Sequence, residues 1–123
     1  MTINLHFPPK AMNKYLFLLL LTTLAACKKF DIEPGAPECI KNTARERTKD
    51  VNSEYATILE YEFQGKLVYV FDLNAGNPDS QADIFDSNCT LLGYLGGISG
   101  NRIINGEDFG TAVFKRKIWP IKK

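Results

Sequence analysis

The hydrophobic positions of this chain change their period several times, and each change marks an element. Tyr15 to Ala26 is a nearly continuous apolar block of about a dozen residues, too short for a membrane span of about 20. Further on, Ile40, Ala44 and Val51 recur at spacings of four and seven, flanked by Lys41, Arg45, Arg47 and Lys49. That narrow apolar stripe predicts one amphipathic helix from Pro37 to about Asp50. Pro37 suits an early helical position, and Glu38 suits the positive end of the helix dipole. The mixed signs of Arg45, Glu46, Lys49 and Asp50 fit a solvated flank better than a lipid-headgroup contact.

Beyond the helix the period falls to two. Ala56 to Phe63 sets Leu59, Tyr61 and Phe63 on one side and Ile58, Glu60 and Glu62 on the other, the pattern of a half-buried strand with its glutamates toward solvent. Leu67 to Leu73 is a second strand, and Leu67-Val68-Tyr69-Val70-Phe71 is apolar on both faces, which predicts a central place in a sheet. Gln64-Gly65-Lys66 between them is short, and Gly65 can take the positive φ of a tight hairpin turn. After Leu73 the polar run Asn74-Ala75-Gly76-Asn77-Pro78-Asp79 predicts a loop that continues to about Asn88. Cys89 to Leu95 is a third strand ended by Gly96-Gly97. Ala112 to Trp119 is the last, with lysines on one face as in edge strands and Pro120 as its stop. The expected fold class is α+β, one N-terminal helix packed on a four-stranded antiparallel sheet.

The first apolar block has the order of a secretory signal: Lys14 as the basic start, Tyr15 to Leu24 as the apolar core, and Ala25-Ala26 as the small-residue end. Met12-Asn13-Lys14 is a compact start of its own, so translation from Met12 is one expectation. Leu24-Ala25-Ala26-Cys27 resembles the lipobox of a bacterial lipoprotein signal. That resemblance implies cleavage before Cys27, a diacylglycerol on its sulfur and an acylated amine, and several buried chains give stable anchoring where one is marginal. It also implies outer-membrane rather than inner-membrane delivery, because Lys28 stands where an Asp would act as a retention signal. No acidic run closely follows Cys27 to support export to the cell surface. The expected organisation is a signal over residues 1–26, a lipid-anchored tether over 27–36, broken by Pro34-Gly35-Ala36-Pro37, and a single domain over 37–123.

Cutting at Cys27 changes the composition. The 97 residues that remain of 123 hold 13 basic and 14 acidic side chains, a near-neutral balance that argues against nucleic-acid binding. The only histidine, His6, is removed, which excludes Ser-His-Asp and Cys-His catalysis and the usual histidine-bearing catalytic zinc site. With Cys27 assigned to lipid, Cys39 and Cys89 remain as one pair, read as a disulfide in an oxidising compartment against the alternative of two buried thiols.

Few residues carry candidate chemistry. Asp72, Asn74 and Asp83 match positions 1, 3 and 12 of a calcium loop, but Gly76 and Asn77 reverse the order that its turn requires, and an ordinary Asx-rich loop is the preferred reading. Gly93-Tyr94-Leu95-Gly96-Gly97-Ile98-Ser99-Gly100 has neither phosphate-loop spacing nor a following helix, so a structural turn or bulge is expected. Asp79, Asp83, Asp86, Glu107 and Asp108 offer carboxylate pairs, but nothing in their spacing selects one. Tyr61, Tyr69, Phe71, Tyr94, Phe114 and Trp119 are expected mainly in the core. No cofactor is implied.

Gly65-Lys66-Leu67-Val68-Tyr69-Val70-Phe71, Cys89, Gly96-Gly97-Ile98-Ser99-Gly100 and Ile118-Trp119 together resemble an uncharacterised family of small Bacteroidetes lipoproteins, over about Pro37 to Trp119. The resemblance implies an envelope location and a single domain, and it transfers no catalytic role. The expectation is a non-enzymatic binding or accessory domain, held to the membrane through its lipid, with an envelope protein as a possible partner class. One alternative is a small protease inhibitor presenting Asn74 to Asn88 or Gly96 to Asn101; another, ranked last, is a carboxylate-based hydrolase.

Overall fold

The computed structural model describes residues 30–121. The signal segment, Met12, His6, Cys27 and the first residues of the expected tether lie outside the described residues. The elements run α1 (Glu38–Arg47), β1 (Thr57–Phe63), β2 (Lys66–Asp72), β3 (Gln81–Asp86), β4 (Leu91–Gly96), β5 (Ile103–Ile104), β6 (Glu107–Asp108), a 3-10 turn (Phe109–Thr111) and β7 (Val113–Trp119). Helix α1 ends three residues earlier than its stripe predicts, where the Thr48 hydroxyl donates to the Ala44 carbonyl at 2.7 Å. Among the described residues no helix is long and apolar enough to cross a membrane.

The main sheet has five strands in the order β4-β3-β2-β1-β7, all antiparallel, and β5 and β6 form a separate two-stranded ribbon. The expected four strands are corrected to five, because β3 occupies the second half of the expected Asn74–Asn88 loop. Its sequence Gln81-Ala82-Asp83-Ile84-Phe85-Asp86 looks loop-like by its acids, yet Ala82, Ile84 and Phe85 are buried. Pairing with β2 and β4 satisfies its backbone, and Arg47 of α1 neutralises Asp83 at 2.8 Å. Apolar residues on both faces do place β2 centrally, as expected.

Registers Ile58↔Phe71, Glu60↔Tyr69, Phe71↔Asp83 and Tyr69↔Phe85 put these side chains on one face of the sheet. Helix α1 covers that face: Arg47 lies 4.8 Å over the Phe85 ring, Ile40 and Ala44 are wholly buried, and Cys39 and Cys89 are joined in a disulfide with 6.1 Å between their Cα atoms. Glu60 is therefore not on a solvent face, as its alternation suggests; it is 6% exposed. Arg116 of β7 meets its two carboxylate oxygens at 3.2 and 3.3 Å.

The same Arg116 donates through Nη1 to the Pro34 carbonyl at 2.8 Å, and the Glu33 amide donates to the Ile118 carbonyl at 2.9 Å. The end of the expected tether is thus strapped along β7, and Ala36 is buried. The second face carries Phe63, Val68, Val70, Ala82 and Ile84, covered by Ile104 from β5 and Phe109 from the 3-10 turn.

Candidate functional site

Hairpin β5-β6 has only two residues on each side, so it covers one part of the second face and leaves another open. Where it covers, the packing is close. The Phe109 ring lies 5.2 Å from Tyr61 and 5.0 Å from Phe63, and Phe114 stands edge-on to Tyr61 at 5.6 Å. Gly93 permits this approach, since a Cβ there would sit 3.0 Å from the Ile104 methyl.

Beside the cover lie two clefts that share Tyr61, Val70, Leu95 and Gly96 and so form one groove across the sheet. The larger, about 460 Å³, continues past Phe109 and Ala112 to Asn101 and Arg102. The smaller, about 310 Å³, continues past Leu59 and Ala82 to Ser80 and Asp72. An apolar floor with polar groups at both ends, at this size, is the usual form of a small-ligand site.

The two ends differ electrostatically. Burial raises the Asp72 carboxyl above the ordinary 3.8. At the other end the Gly110 amide, donating at 2.6 Å, and then Arg102, at 3.3 Å, hold Asp108 below its ordinary value. The groove therefore has a desolvated acid at one mouth and an ion-paired arginine at the other. Among the described residues every buried side-chain nitrogen and oxygen has a hydrogen-bond partner.

Gly96 shapes the rim. Its φ is +83°, and a Cβ there would lie 2.8 Å from the Ser80 carbonyl. The amides of Gly96, Gly97, Gly100 and Asn101 all donate to backbone carbonyls, to Asn101, Ser80, Gly97 and Gly96 respectively. The glycine-rich stretch is a hairpin turn that spends these donors on itself and on Ser80, in line with its reading as a turn.

The calcium arrangement is not assembled. Phe71 and Asp83 share the helix face, so Asp72, one residue on, points to the groove face, and Asn74 lies in the turn beyond. Asp83 is occupied by Arg47, and among the described residues no group of three or more His, Cys, Asp or Glu could hold a metal ion. The other acids are likewise drawn into local structure: Asp86 accepts from the Asn88 and Thr90 amides at 2.9 Å, and Glu107 accepts from the Thr111 hydroxyl at 3.1 Å.

Sequence reasoning missed the Glu60–Arg116 pair and its neighbour Tyr69. Burial first, then the Glu60 carboxylate, pushes the Tyr69 hydroxyl up to about 12. The available signal was Glu60 two residues from Ile58 on the same strand face; reading both as buried required the position of β7.

Fold and groove together define a small α+β domain, a five-stranded antiparallel sheet covered on one face by a stapled helix and on the other by a short hairpin. The chain belongs to the family described as Domain of unknown function (DUF6970), whose model matches residues 44–121. No curated protein and no solved structure matches it.

Proposed function

We propose that this chain is a lipid-anchored protein of the bacterial cell envelope, delivered to the outer membrane, whose domain is a non-enzymatic binding or accessory module using the groove on the second sheet face. The observation that carries the anchoring is Leu24-Ala25-Ala26-Cys27 at the end of a short apolar block that begins after Lys14. The likeness to small Bacteroidetes lipoproteins supports the same reading. The groove supports a binding role because it is concave, apolar along its floor and polar at its ends. The absence of histidine after Cys27 favours binding over hydrolysis.

The test is intact-mass analysis of the chain from envelope membranes, native and Cys27→Ala. The native chain should begin at Cys27 and carry acyl mass, and the variant should lose both features. A native chain of unmodified mass would end the anchoring reading. For the groove, Leu95→Arg should abolish enrichment of any envelope component captured by the native chain, and unchanged capture would remove the groove from the proposal.

A further inference from the structure

The antiparallel registers gather several chain segments at one end of the sheet. Thr57 pairs with Asp72, Ile58 with Trp119, and Gln81 with Gly96, so the start of β1, the end of β2, the start of β3 and the ends of β4 and β7 lie together. Two exposed apolar side chains stand there. Ile98, at the tip of the Gly97–Gly100 turn, is 93% exposed, and Tyr55, just before β1, is 63% exposed with its ring against Gly76 of the β2–β3 loop.

The N-terminal strap leads to the same end. Pro34 is held by Arg116 and Glu33 by Ile118, so the segment runs antiparallel to β7 and Glu33 lies toward the Trp119 end of that strand. Glu33 lies only six Cα–Cα steps after Cys27. At full extension they reach about 20 Å, less than the width of a domain of this size, whose radius of gyration alone is about 13 Å. A chain anchored at Cys27 cannot hang its domain freely; the end nearest Glu33 must face the bilayer.

We propose that this end of the sheet rests on the bilayer surface, with Ile98 inserted among the lipid headgroups and upper acyl chains. The proposal rests on the lipid-anchor reading above. The length of chain before Glu33 fixes the orientation, and the tight turn offers Ile98 without opening any core. Glu54 before β1, Asp72 at the end of β2 and Asp79 before β3 are acidic, so contact is by apolar insertion rather than by attraction to headgroup charge. Of the other exposed apolar residues, Leu91 and Val113 are placed by the registers at the opposite end, with Phe114 next to Val113 and with Lys115 pairing Glu62 at 3.0 Å, while Ile103 lies in the β5–β6 ribbon.

That opposite end supplies the control. In a Trp119→Phe background, Ile98→Trp and Leu91→Trp each place one fluorophore at one end of the sheet. The full chain, carried by its own anchor in phosphatidylethanolamine–phosphatidylglycerol vesicles containing nitroxide-labelled lipid, should show severalfold stronger quenching at Ile98→Trp than at Leu91→Trp, unchanged in high salt. Equal quenching, or stronger quenching at Leu91→Trp, from a chain of acylated mass overturns the orientation and leaves the anchor standing. A chain without acyl mass overturns both. Both substitutions fall on exposed side chains, and far-ultraviolet circular dichroism verifies the fold.

Discussion

The two faces of the sheet are held by different means. The helix face is fixed covalently by Cys39–Cys89 and electrostatically by Glu60–Arg116 and Asp83–Arg47. The hairpin face is held chiefly by apolar contact, through Ile104 and Phe109, with a hydrogen bond from the Gln64 side chain to the Asn105 carbonyl, and it keeps an open groove where that contact stops. A face locked at several points has little freedom to admit a ligand. A face covered by a short, separately paired ribbon can open at low cost, since local stability follows local burial.

The largest test of this contrast removes the staple. Cys39→Ser with Cys89→Ser should lower unfolding free energy by about 4 kcal/mol, because the bridge closes a 50-residue loop in the unfolded chain. Denaturant titration measures it, and a loss under about 1 kcal/mol would mean that packing alone holds α1 in place.

Phe109→Ala should cost about 3 kcal/mol, the loss expected for a buried ring that leaves a cavity. Hydrogen exchange should then rise across residues 103–112 while α1 stays protected. Uniform loss of protection would show that the two faces unfold as one.

Arg116→Ala should cost about 2 kcal/mol, moderated by the partial exposure of the guanidinium, since it leaves the Glu60 carboxylate buried without its cation. The same change should make residues 31–36 cleavable by protease, because Pro34 loses its donor. Persistent resistance would assign the strap to the Glu33–Ile118 bond instead.

The smallest effect is a gain. Asp72 is raised by burial, so the folded state binds its proton more tightly than the unfolded state, and stability falls as pH climbs from the ordinary 3.8 through the raised value. Asp72→Asn avoids that loss. Its melting temperature should exceed that of the native chain at neutral pH, and the difference should vanish below the ordinary carboxylate value. A difference independent of pH would mean that Asp72 is hydrated at the mouth of the groove.

The elements most legible in the sequence were those with strong local periodicity. Ile40 and Ala44 announced α1, and the double-sided run Leu67 to Phe71 announced the centre of the sheet. Strand β3 was hidden because Asp83 and Asp86 mimic loop chemistry when seen without Arg47 and the Thr90 amide. The β5–β6 ribbon was hidden because two residues per strand carry no period. The groove was invisible for a related reason: Leu59, Tyr61 and Leu95 read as apolar strand residues, and only the shortness of the cover leaves them partly open.

By itself the sequence determined what is local: a short apolar block ending in Leu24-Ala25-Ala26-Cys27, one helix, a hairpin around Gly65, a glycine turn, and the pairing of Cys39 with Cys89 once Cys27 was set aside. Those features depend on spacing along the chain, which a string of residues records. Tertiary structure alone decided that Glu60 is buried, that the strap is docked, that Asp72 and Asp83 lie on opposite faces, and that Ile98 stands at the end where the N-terminal segment departs. Each of these is set by which strand lies beside which, and pairing between distant segments is decided by the summed burial of both faces rather than by any residue's own neighbours.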